Sequence, residues 1–192
     1  MRFTAMPLAG AFTVEGDEAV DERGSFLRVF CQREFRAHGL PPTFVQTSIS
    51  RNRLRGTLRG LHYQAAPRAE GKLVRCIRGS LYDVIVDLRP ESPTFGQHIG
   101  VQLDEENHRA LYVPERFGHG FITLKDNTVA SYQVGEFYTP AEEGGLRYDD
   151  PDLGIDWRFP ASDLVLSDKD RRHPRLSDLP RYFDVAEPAA CA

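Results

Sequence analysis

Short apolar runs separated by glycine and proline recur along this chain and constrain its fold more than any other feature. The 16 glycines and 13 prolines are spread through the sequence as turn signals. Evenly spaced short strands of this kind predict an antiparallel β-sandwich or β-barrel. The clearest runs cover residues 73–77, 81–88, 100–103, 110–113, 120–124 and 129–134. Gly79-Ser80, between the first two runs, predicts a hairpin turn.

One of these runs has a face of mixed polarity. In residues 81–88, the strand period of two places Asp83 and Asp87 on the same face as Leu81 and Ile85. Carboxylates among apolar side chains are unusual on a face that is open to water. This face is therefore expected to line a pocket or a subunit contact.

Composition excludes several classes of protein. The net charge of −4 argues against nonspecific attraction to nucleic acid, although Arg51, Arg53, Arg55 and Arg59 form a local basic cluster in the sequence. The three cysteines, Cys31, Cys76 and Cys191, are odd in number and lack zinc-ligand spacing, which is typical of a reduced cytoplasm. No apolar run approaches the length of a membrane span, and the N-terminus lacks the apolar core of a signal peptide. We therefore expect a cytoplasmic enzyme or binding protein without a membrane or nucleic-acid partner.

The domain organisation is expected to be simple. The sequence shows no internal repeat and no long linker, which predicts a single domain over residues 1–184 and a frayed tail over 185–192. Helix is sparse. Residues 31–38 predict a short helix that ends at Gly39, and the segment from residue 161 onwards predicts short helical pieces that wrap the sheet.

The first candidate for chemistry is His62, in the predicted strand RGLHYQ at residues 59–64. A neutral histidine can accept a proton near pH 7, and Lys72 ten residues later could stabilise a negative charge that results. This pairing suits proton removal beside a carbonyl. Arg59 lies on the opposite strand face from His62 by simple alternation, so a bend at Gly60 is needed to bring both into one pocket.

Other interpretations of these residues stay open. Two histidines one residue apart on a strand would indicate a metal site in a small β-barrel, but position 64 is Gln64, so metal is the minority interpretation. His119, flanked by two glycines, is either a hydrogen-bonded residue at a strand bend or part of a ligand site. Tyr132 and Tyr138 alone would usually be packing residues, and Lys72 alone an exposed strand lysine.

An ordered series of motifs resembles the dTDP-4-dehydrorhamnose 3,5-epimerase family. The resemblance extends from about residue 3 to about residue 184. Its matching strings are LRGLHYQ (58–64), KLVR (72–75), DVIVDLR (83–89), SPTFG (92–96), VPERFGHGF (113–121), DDP (149–151) and GIDW (154–157).

The resemblance implies a fold and an activity. The family fold is a cupin-type, jelly-roll-like antiparallel β-barrel that forms a homodimer by strand exchange, and it uses neither a metal nor an organic cofactor. The family inverts carbons 3 and 5 of dTDP-4-dehydro-6-deoxy-glucose in the biosynthesis of rhamnose-type deoxysugars. The substrate's ketone at carbon 4 acidifies the protons on both neighbouring carbons.

The resemblance also implies roles for the catalytic residues. His62 matches the base that removes the protons, and Asp170, or alternatively Asp168, matches the acid that orients its imidazole. Lys72 matches the residue that stabilises the enolate oxygen. Tyr132 matches the acid that returns a proton from the opposite face and so inverts the centre.

The substrate-binding positions are implied in the same way. Arg59 and Arg23 match phosphate contacts, and Arg23 and Phe26 are expected to reach in from the partner subunit. Tyr138 matches the residue stacked on thymine. The remaining matches to substrate or nucleotide positions are Gln46, His119, Glu143 and Lys169.

The sequence departs from the family pattern near the nucleotide, at Arg28 and at Thr47-Ser48. A CDP- or GDP-sugar is therefore an alternative substrate, and inversion of carbon 3 or carbon 5 alone is an alternative reaction. Two hypotheses from other classes are a non-catalytic nucleotide-sugar-binding barrel and a metal-dependent cupin enzyme.

Overall fold

The computed structural model describes residues 1–179, which form thirteen β-strands and two short α-helices. The strands are β1 (Arg2–Ala5), β2 (Phe12–Glu15), β3 (Glu18–Asp21), β4 (Gly24–Leu27), β5 (Gln46–Asn52), β6 (Leu58–Gln64), β7 (Lys72–Arg78), β8 (Ser80–Asp87), β9 (His98–Asp104), β10 (Ala110–Val113), β11 (Phe117–Thr123), β12 (Thr128–Val134) and β13 (Glu143–Gly145). The helices are α1 (Gln32–Ala37) and α2 (Asp168–Arg171), and 3₁₀ turns lie at Pro140–Glu142, Ala161–Asp163 and Leu176–Asp178. The predicted tail at 185–192 lies outside the described residues.

The strands pair into three antiparallel sheets, which confirms the prediction of a mainly β fold. The six-stranded sheet has the order β1-β2-β10-β7-β12-β5, and the five-stranded sheet has the order β13-β6-β11-β8-β9. Strands β3 and β4 form a separate hairpin. Within residues 1–179 the two larger sheets remain open at their edges, so strand pairing alone does not close a barrel.

Apolar side chains from the two larger sheets pack against each other. Leu111 and Val74 of the six-stranded sheet and Ile85 and Leu81 of the five-stranded sheet are all essentially inaccessible to solvent. Each fully buried aliphatic side chain of this size contributes roughly 1.5–3 kcal/mol by leaving water. The two facing sheets therefore share one core, and a cavity between them would be lined by side chains from both sheets.

A second core covers the outer face of the five-stranded sheet. Val84 and Val86 of β8 pack there against Leu146 and Trp157, which belong to the segment after β13. The Trp157 indole donates a hydrogen bond of 2.7 Å to the Tyr148 carbonyl, which satisfies its polar atom. Leu164 and Leu176 belong to the same cluster, so the predicted wrapping of the sheet by the segment from residue 161 onwards is confirmed for the described residues.

Helix α1 closes the outer side of the six-stranded sheet near β2 and β10. Phe35 is fully buried in a cluster with Val14 and Tyr112. Gly39 follows the helix with φ +70, a value that favours glycine, so the predicted helix and its stop signal are confirmed. None of the described helices has the length and apolar character needed to cross a membrane.

The predicted hairpin at Gly79-Ser80 is wrong. Strand β7 pairs with β10 and β12, whereas β8 pairs with β9 and β11, so the chain passes from one sheet to the other at this turn. Gly79 has φ +80, and a Cβ there would lie 2.5 Å from Thr128 Oγ1. Gly79 does form a turn between β7 and β8, but the two strands pair with other strands in different sheets and not with each other.

Strand β6 contains an extra residue relative to β11 at Gly60. The register pairs His62 with His119 and Arg59 with Phe121, so β6 uses three steps where β11 uses two. An extra residue of this kind is a β-bulge, and it shifts the alternation of side chains. This bulge explains why Arg59 and His62 line the same cavity, so the expected bend at Gly60 is confirmed.

We predict that Gly60→Ala lowers the free energy of unfolding by at least about 3 kcal/mol. Gly60 has φ +122, and an added Cβ would lie 2.5 Å from the Gly120 Cα. Urea unfolding measures the effect. The matched control is Gly135→Ala, where the nearest atom to the new Cβ is the Gly71 carbonyl oxygen at 3.6 Å. Equal losses in the two variants would contradict the argument.

Candidate active site

A cavity of about 300 Å³ lies between the two larger sheets, and side chains from both sheets line it. Strands β5, β7 and β12 contribute one wall, and β6 and β11 contribute the opposite wall. Eight of the twelve predicted site residues line it: Gln46, Arg59, His62, Lys72, His119, Tyr132, Tyr138 and Glu143.

His62 is hydrogen-bonded to a carboxylate that is 108 residues away in sequence. Its Nε2 lies 2.6 Å from Asp170 Oδ1. Asp170 is 4% exposed and sits in α2, which Ser167 caps: the Ser167 hydroxyl accepts from the Asp170 amide and donates to Asp170 Oδ2. Asp168 is exposed, so of the two candidate acids Asp170 is the one placed against His62.

The Asp170 carboxyl is kept ionised despite its burial. Burial raises its pKa, but the neighbouring His173 and His62, together with the Ser167 hydroxyl, hold the pKa well below its usual range. The His173 Nε2 is 3.7 Å from Asp170 Oδ1, beyond hydrogen-bond distance, so its effect on the carboxyl is electrostatic. An ionised Asp170 fixes the hydrogen of His62 on Nε2 and leaves the Nδ1 lone pair free.

The same three residues are the candidate metal ligands within the described part of the chain. The ligand atoms of His62, Asp170 and His173 all lie within 4.8 Å of one another. Two ligands of one tetrahedral zinc ion, each about 2.0 Å from the metal, would be roughly 3.3 Å apart. The 2.6 Å between His62 and Asp170 is shorter, which identifies a direct hydrogen bond rather than a ligand pair.

A second histidine–carboxylate pair lies on the same wall. His119 faces His62 across the β6–β11 register, and its Nε2 lies 2.7 Å from Asp83 Oδ1. Both residues are buried, and His119 lines the cavity. The mixed face of β8 therefore supplies a carboxylate that orients a cavity residue, and His119 is both hydrogen-bonded and available to a ligand.

Lys72 and Tyr132 lie on the opposite wall. They belong to adjacent strands, and the register pairs Lys72 with Val134 and Tyr132 with Val74. Lys72 is buried, and its Nζ lies 3.2 Å from Glu70 Oε1. A buried ammonium needs such a partner. The base candidate and the acid candidate thus project into the cavity from different sheets.

Side-chain amides hold the loop that carries Tyr138. Gln46 Oε1 accepts a hydrogen bond of 2.6 Å from the Tyr138 amide, and Gln64 Oε1 accepts one of 2.7 Å from the Thr139 amide. Gln64 also donates to the Phe137 carbonyl at 3.1 Å. Gln64, noted in the sequence because it is not a histidine, therefore anchors this loop to β6.

A polar chain links the Tyr138 hydroxyl to α2. The hydroxyl donates to Glu143 Oε2 at 3.0 Å, and Lys169 Nζ lies 2.6 Å from the same oxygen. Burial raises the pKa of Glu143, but the hydrogen bonds from Lys169 and Tyr138 outweigh this and hold it below its usual range. Lys169 therefore reaches the site through Glu143.

The remaining predicted residues are distributed differently. Arg59 lines the cavity and donates from Nε to Asn52 Oδ1 at 2.8 Å. Arg23 and Phe26 lie on the exposed β3–β4 hairpin, outside the cavity of their own chain. Arg23 is paired there with Asp21.

Sequence reasoning missed four residues that support the site: Glu70, Asp83 as a partner of His119, Gln64 as an anchor, and His173. Two of them have a local signal: Glu70 precedes Lys72 by two positions, and Asp83 lies on the mixed face of its strand. Gln64 and His173 meet their partners across strands or through the C-terminal segment, which no local pattern reports.

We predict that Gln64→Leu releases the Tyr138 loop. The Thr139 amide loses its acceptor, so its hydrogen exchange should accelerate at least about tenfold, the equivalent of roughly 1.4 kcal/mol. Amide exchange followed by NMR measures this. Gln46→Ala is the matched comparison and should accelerate the Tyr138 amide instead. Unchanged exchange at Thr139 in Gln64→Leu would contradict the anchoring role.

Comparisons with known proteins identify the family of this chain. The family model described as dTDP-4-dehydrorhamnose 3,5-epimerase matches residues 5–178. A dTDP-4-dehydrorhamnose 3,5-epimerase from Methanothermobacter thermautotrophicus is 44% identical over 183 residues, which cover 95% of this chain and 98% of the relative.

Two solved structures are similar over most of their length. One is dTDP-6-deoxy-D-glucose-3,5-epimerase from Legionella pneumophila in complex with dTDP-4-keto-L-rhamnose, with a TM-score of 0.89, 36% identity, and coverage of 95% of this chain and 96% of the other. The other is ChmJ, a 3′-monoepimerase from Streptomyces bikiniensis in complex with dTDP-quinovose, with a TM-score of 0.82, 35% identity, and coverage of 90% and 86%. With the match to the family model over nearly the whole described chain, these likenesses show that the chain belongs to the dTDP-4-dehydrorhamnose 3,5-epimerase family.

Proposed function

We propose that this protein epimerises dTDP-4-dehydro-6-deoxy-glucose at carbons 3 and 5. The observation that carries the proposal is that His62 and Tyr132 enter one cavity from opposite sheets. Inversion at a carbon requires removal of a proton from one face and its replacement from the other. A sugar held between the two walls would present one face to each residue.

His62 acts as the base. Its free Nδ1 takes the proton from the carbon beside the ketone, and the electron pair of the broken C–H bond moves into the enolate. The ring becomes a cation that hydrogen-bonds through Nε2 to Asp170, which stabilises it. General base catalysis of this kind contributes roughly 10²–10⁴-fold to the rate.

Lys72 and Tyr132 complete the reaction from the opposite wall. The Lys72 ammonium, held by Glu70, stabilises the negative charge that develops on the enolate oxygen. The Tyr132 hydroxyl delivers a proton to the face away from His62, which inverts the centre. A new proton enters the product at each inversion, and solvent resets both residues afterwards.

The nucleotide half binds at the mouth of the cavity. Arg59 contacts the diphosphate, and Tyr138, which is 57% exposed, offers its ring for stacking on thymine. Gln46 uses its oxygen to hold the Tyr138 amide, so its amide nitrogen is the group left to contact the nucleotide. His119 and Glu143 border the sugar, and Lys169 acts on this part of the site through its ion pair with Glu143.

The fold proposed for this activity is the cupin-type jelly roll. Strands β5 to β12 divide between the sheets in the orders β5-β12-β7-β10 and β6-β11-β8-β9, and the chain changes sheets at every step except from β8 to β9, which supports it. Each change of sheet brings consecutive strands to opposite walls of one cavity.

Inversion of carbon 3 alone is the second candidate. The structural similarity to a 3′-monoepimerase supports this second candidate. The NMR assignment of the product's stereochemistry separates the two reactions, because inversion at both carbons gives the rhamnose-series ketone and inversion at one does not.

Incubation with the 4-keto nucleotide sugar in deuterated water tests the catalytic roles. We predict that His62→Ala lowers deuterium entry at carbons 3 and 5 by at least about 10²-fold. Tyr132→Phe should retain deuterium entry but lose inversion, because His62 can return a deuteron to the face from which it took the proton. The matched controls are His98→Ala and Tyr148→Phe, outside the cavity lining. Wild-type exchange in His62→Ala would refute its role as base.

We also propose a homodimer in which the β3–β4 hairpin enters the partner's cavity. Val20 and Phe26 on this hairpin are each about three-quarters exposed, at 75% and 76%, and Ile49 and Ile77 are exposed on the six-stranded sheet. Apolar exposure of this extent favours a partner surface. Light scattering should give twice the monomer mass.

The origin of Arg23 in the site can be tested by mixing two inactive variants. Homodimers of Arg23→Glu lack the phosphate contact, and those of His62→Ala lack the base. After subunit exchange, hybrid dimers contain one complete site, so activity should reappear. Absence of activity after proven exchange would contradict the hairpin's reach into the partner.

A further inference from the structure

A second imidazole borders the carboxylate that orients His62. The His173 Nε2 lies 3.7 Å from Asp170 Oδ1, the same oxygen that receives the 2.6 Å hydrogen bond from His62. His173 follows Asp170 by three residues and does not line the cavity. Two imidazoles therefore lie against one carboxylate oxygen: His62 on the cavity side, within hydrogen-bond distance, and His173 outside the cavity lining, at a longer distance.

The surroundings hold the His173 ring in place. It packs edge-on against the His62 ring, with centroids 5.5 Å apart and planes at 72°. Gly145 leaves room for it, because a Cβ there would lie 2.5 Å from His173 Nε2. The Nε2 atom is inaccessible to water and has no hydrogen-bond partner among the described residues. A buried polar atom without a partner is costly, and the Asp170 carboxylate places an acceptor oxygen 3.7 Å from this atom.

We propose that His173 is a positioning residue that shares the charge of Asp170 and thereby limits how strongly His62 retains the proton it removes. This inference rests on the proposed function, in which His62 must release a proton after each inversion. A base held too tightly by its carboxylate would remain charged between turnovers. His173 offsets that pull while leaving the 2.6 Å hydrogen bond intact.

The electrostatics of the neighbouring groups agree with this role. Asp170 also receives the Ser167 hydroxyl at the start of α2. From β13, Glu143 acts on His62 through its charge, and Lys169 is paired with Glu143. Burial raises the pKa of Asp170, and among the groups that lower this pKa His173 has the largest effect. In the tautomer with its hydrogen on Nε2, His173 brings a partial positive charge to within 3.7 Å of Asp170 Oδ1.

The first test needs no substrate. The pKa of the Asp170 carboxyl, followed by carbon-13 NMR in the full chain, should rise by about one unit in His173→Phe, because an apolar ring takes no share of the charge. His173→Gln, which keeps an N–H donor, should stay near the wild-type value. His98→Phe, on β9 outside the cavity lining, is the matched control. If His173→Phe fails to fold, His173→Leu replaces it.

The second test is the pH profile of kcat/KM. In His173→Phe the acid limb of the profile should move to higher pH by about one unit, the same size as the expected rise in the pKa of Asp170. The value of kcat/KM should therefore fall up to about tenfold at pH values on that limb and equal the wild-type value at higher pH. His173→Gln should restore the wild-type limb. An unshifted limb, or an equal loss at every pH, would overturn the proposal and leave His173 a packing residue.

The two tests also separate this inference from the proposed function. Failure of the wild-type protein to exchange deuterium into any 4-keto nucleotide sugar would overturn the proposed reaction, while the carboxyl titration would still measure the coupling of His173 to Asp170. An unchanged Asp170 titration in an active His173→Phe enzyme would overturn the inference alone.

Discussion

The hydrogen bond between His62 and Asp170 joins the two parts of the structure on which the site depends. It connects β6, in the middle of the chain, to a C-terminal segment that otherwise packs outside the five-stranded sheet. The buried carboxylate needs this partner, because an isolated buried charge would be strongly destabilising. The C-terminal segment thus has two functions. Its apolar residues cover the sheet, and one carboxylate passes inward to fix the tautomer of a cavity histidine.

Two facing sheets give the cavity its chemical asymmetry. His62 and His119 come from one sheet with carboxylate partners, and Lys72 and Tyr132 come from the other. Such an arrangement follows because the chain changes sheets between β6 and β7, which separates His62 from Lys72, and between β11 and β12, which separates His119 from Tyr132. The change of sheet at Gly79, where the hairpin prediction was wrong, lets β8 pair with β11 and supply Asp83 to His119.

The alternation of apolar and polar residues predicted most of the strands, because each strand buries a face that its local sequence defines. Alternation alone did not predict that Arg59 and His62 line the same cavity. It places them on opposite faces of β6, and the extra residue at Gly60 brings both to the cavity. Motif resemblance supplied the residues that line the cavity. It could not supply His173 or the anchoring by Gln64, because both depend on contacts between segments distant along the chain or on a C-terminal turn packed against β13.

Fewer of the residues that depart from the family pattern lie at the cavity than the sequence alone suggested. On β5 the alternate residues Gln46 and Ser48 line the cavity, whereas Thr47 is exposed. Arg28 is also exposed, 3.7 Å from Glu34, and lies outside the cavity of its own chain. Of the three departures, only Ser48 therefore lines the cavity of its own chain. The loop that carries Tyr138 is held by side-chain amides from β5 and β6 and, through Glu143 and Lys169, by α2. The end of the cavity near Tyr138 is therefore tied to the same elements that carry His62 and Asp170.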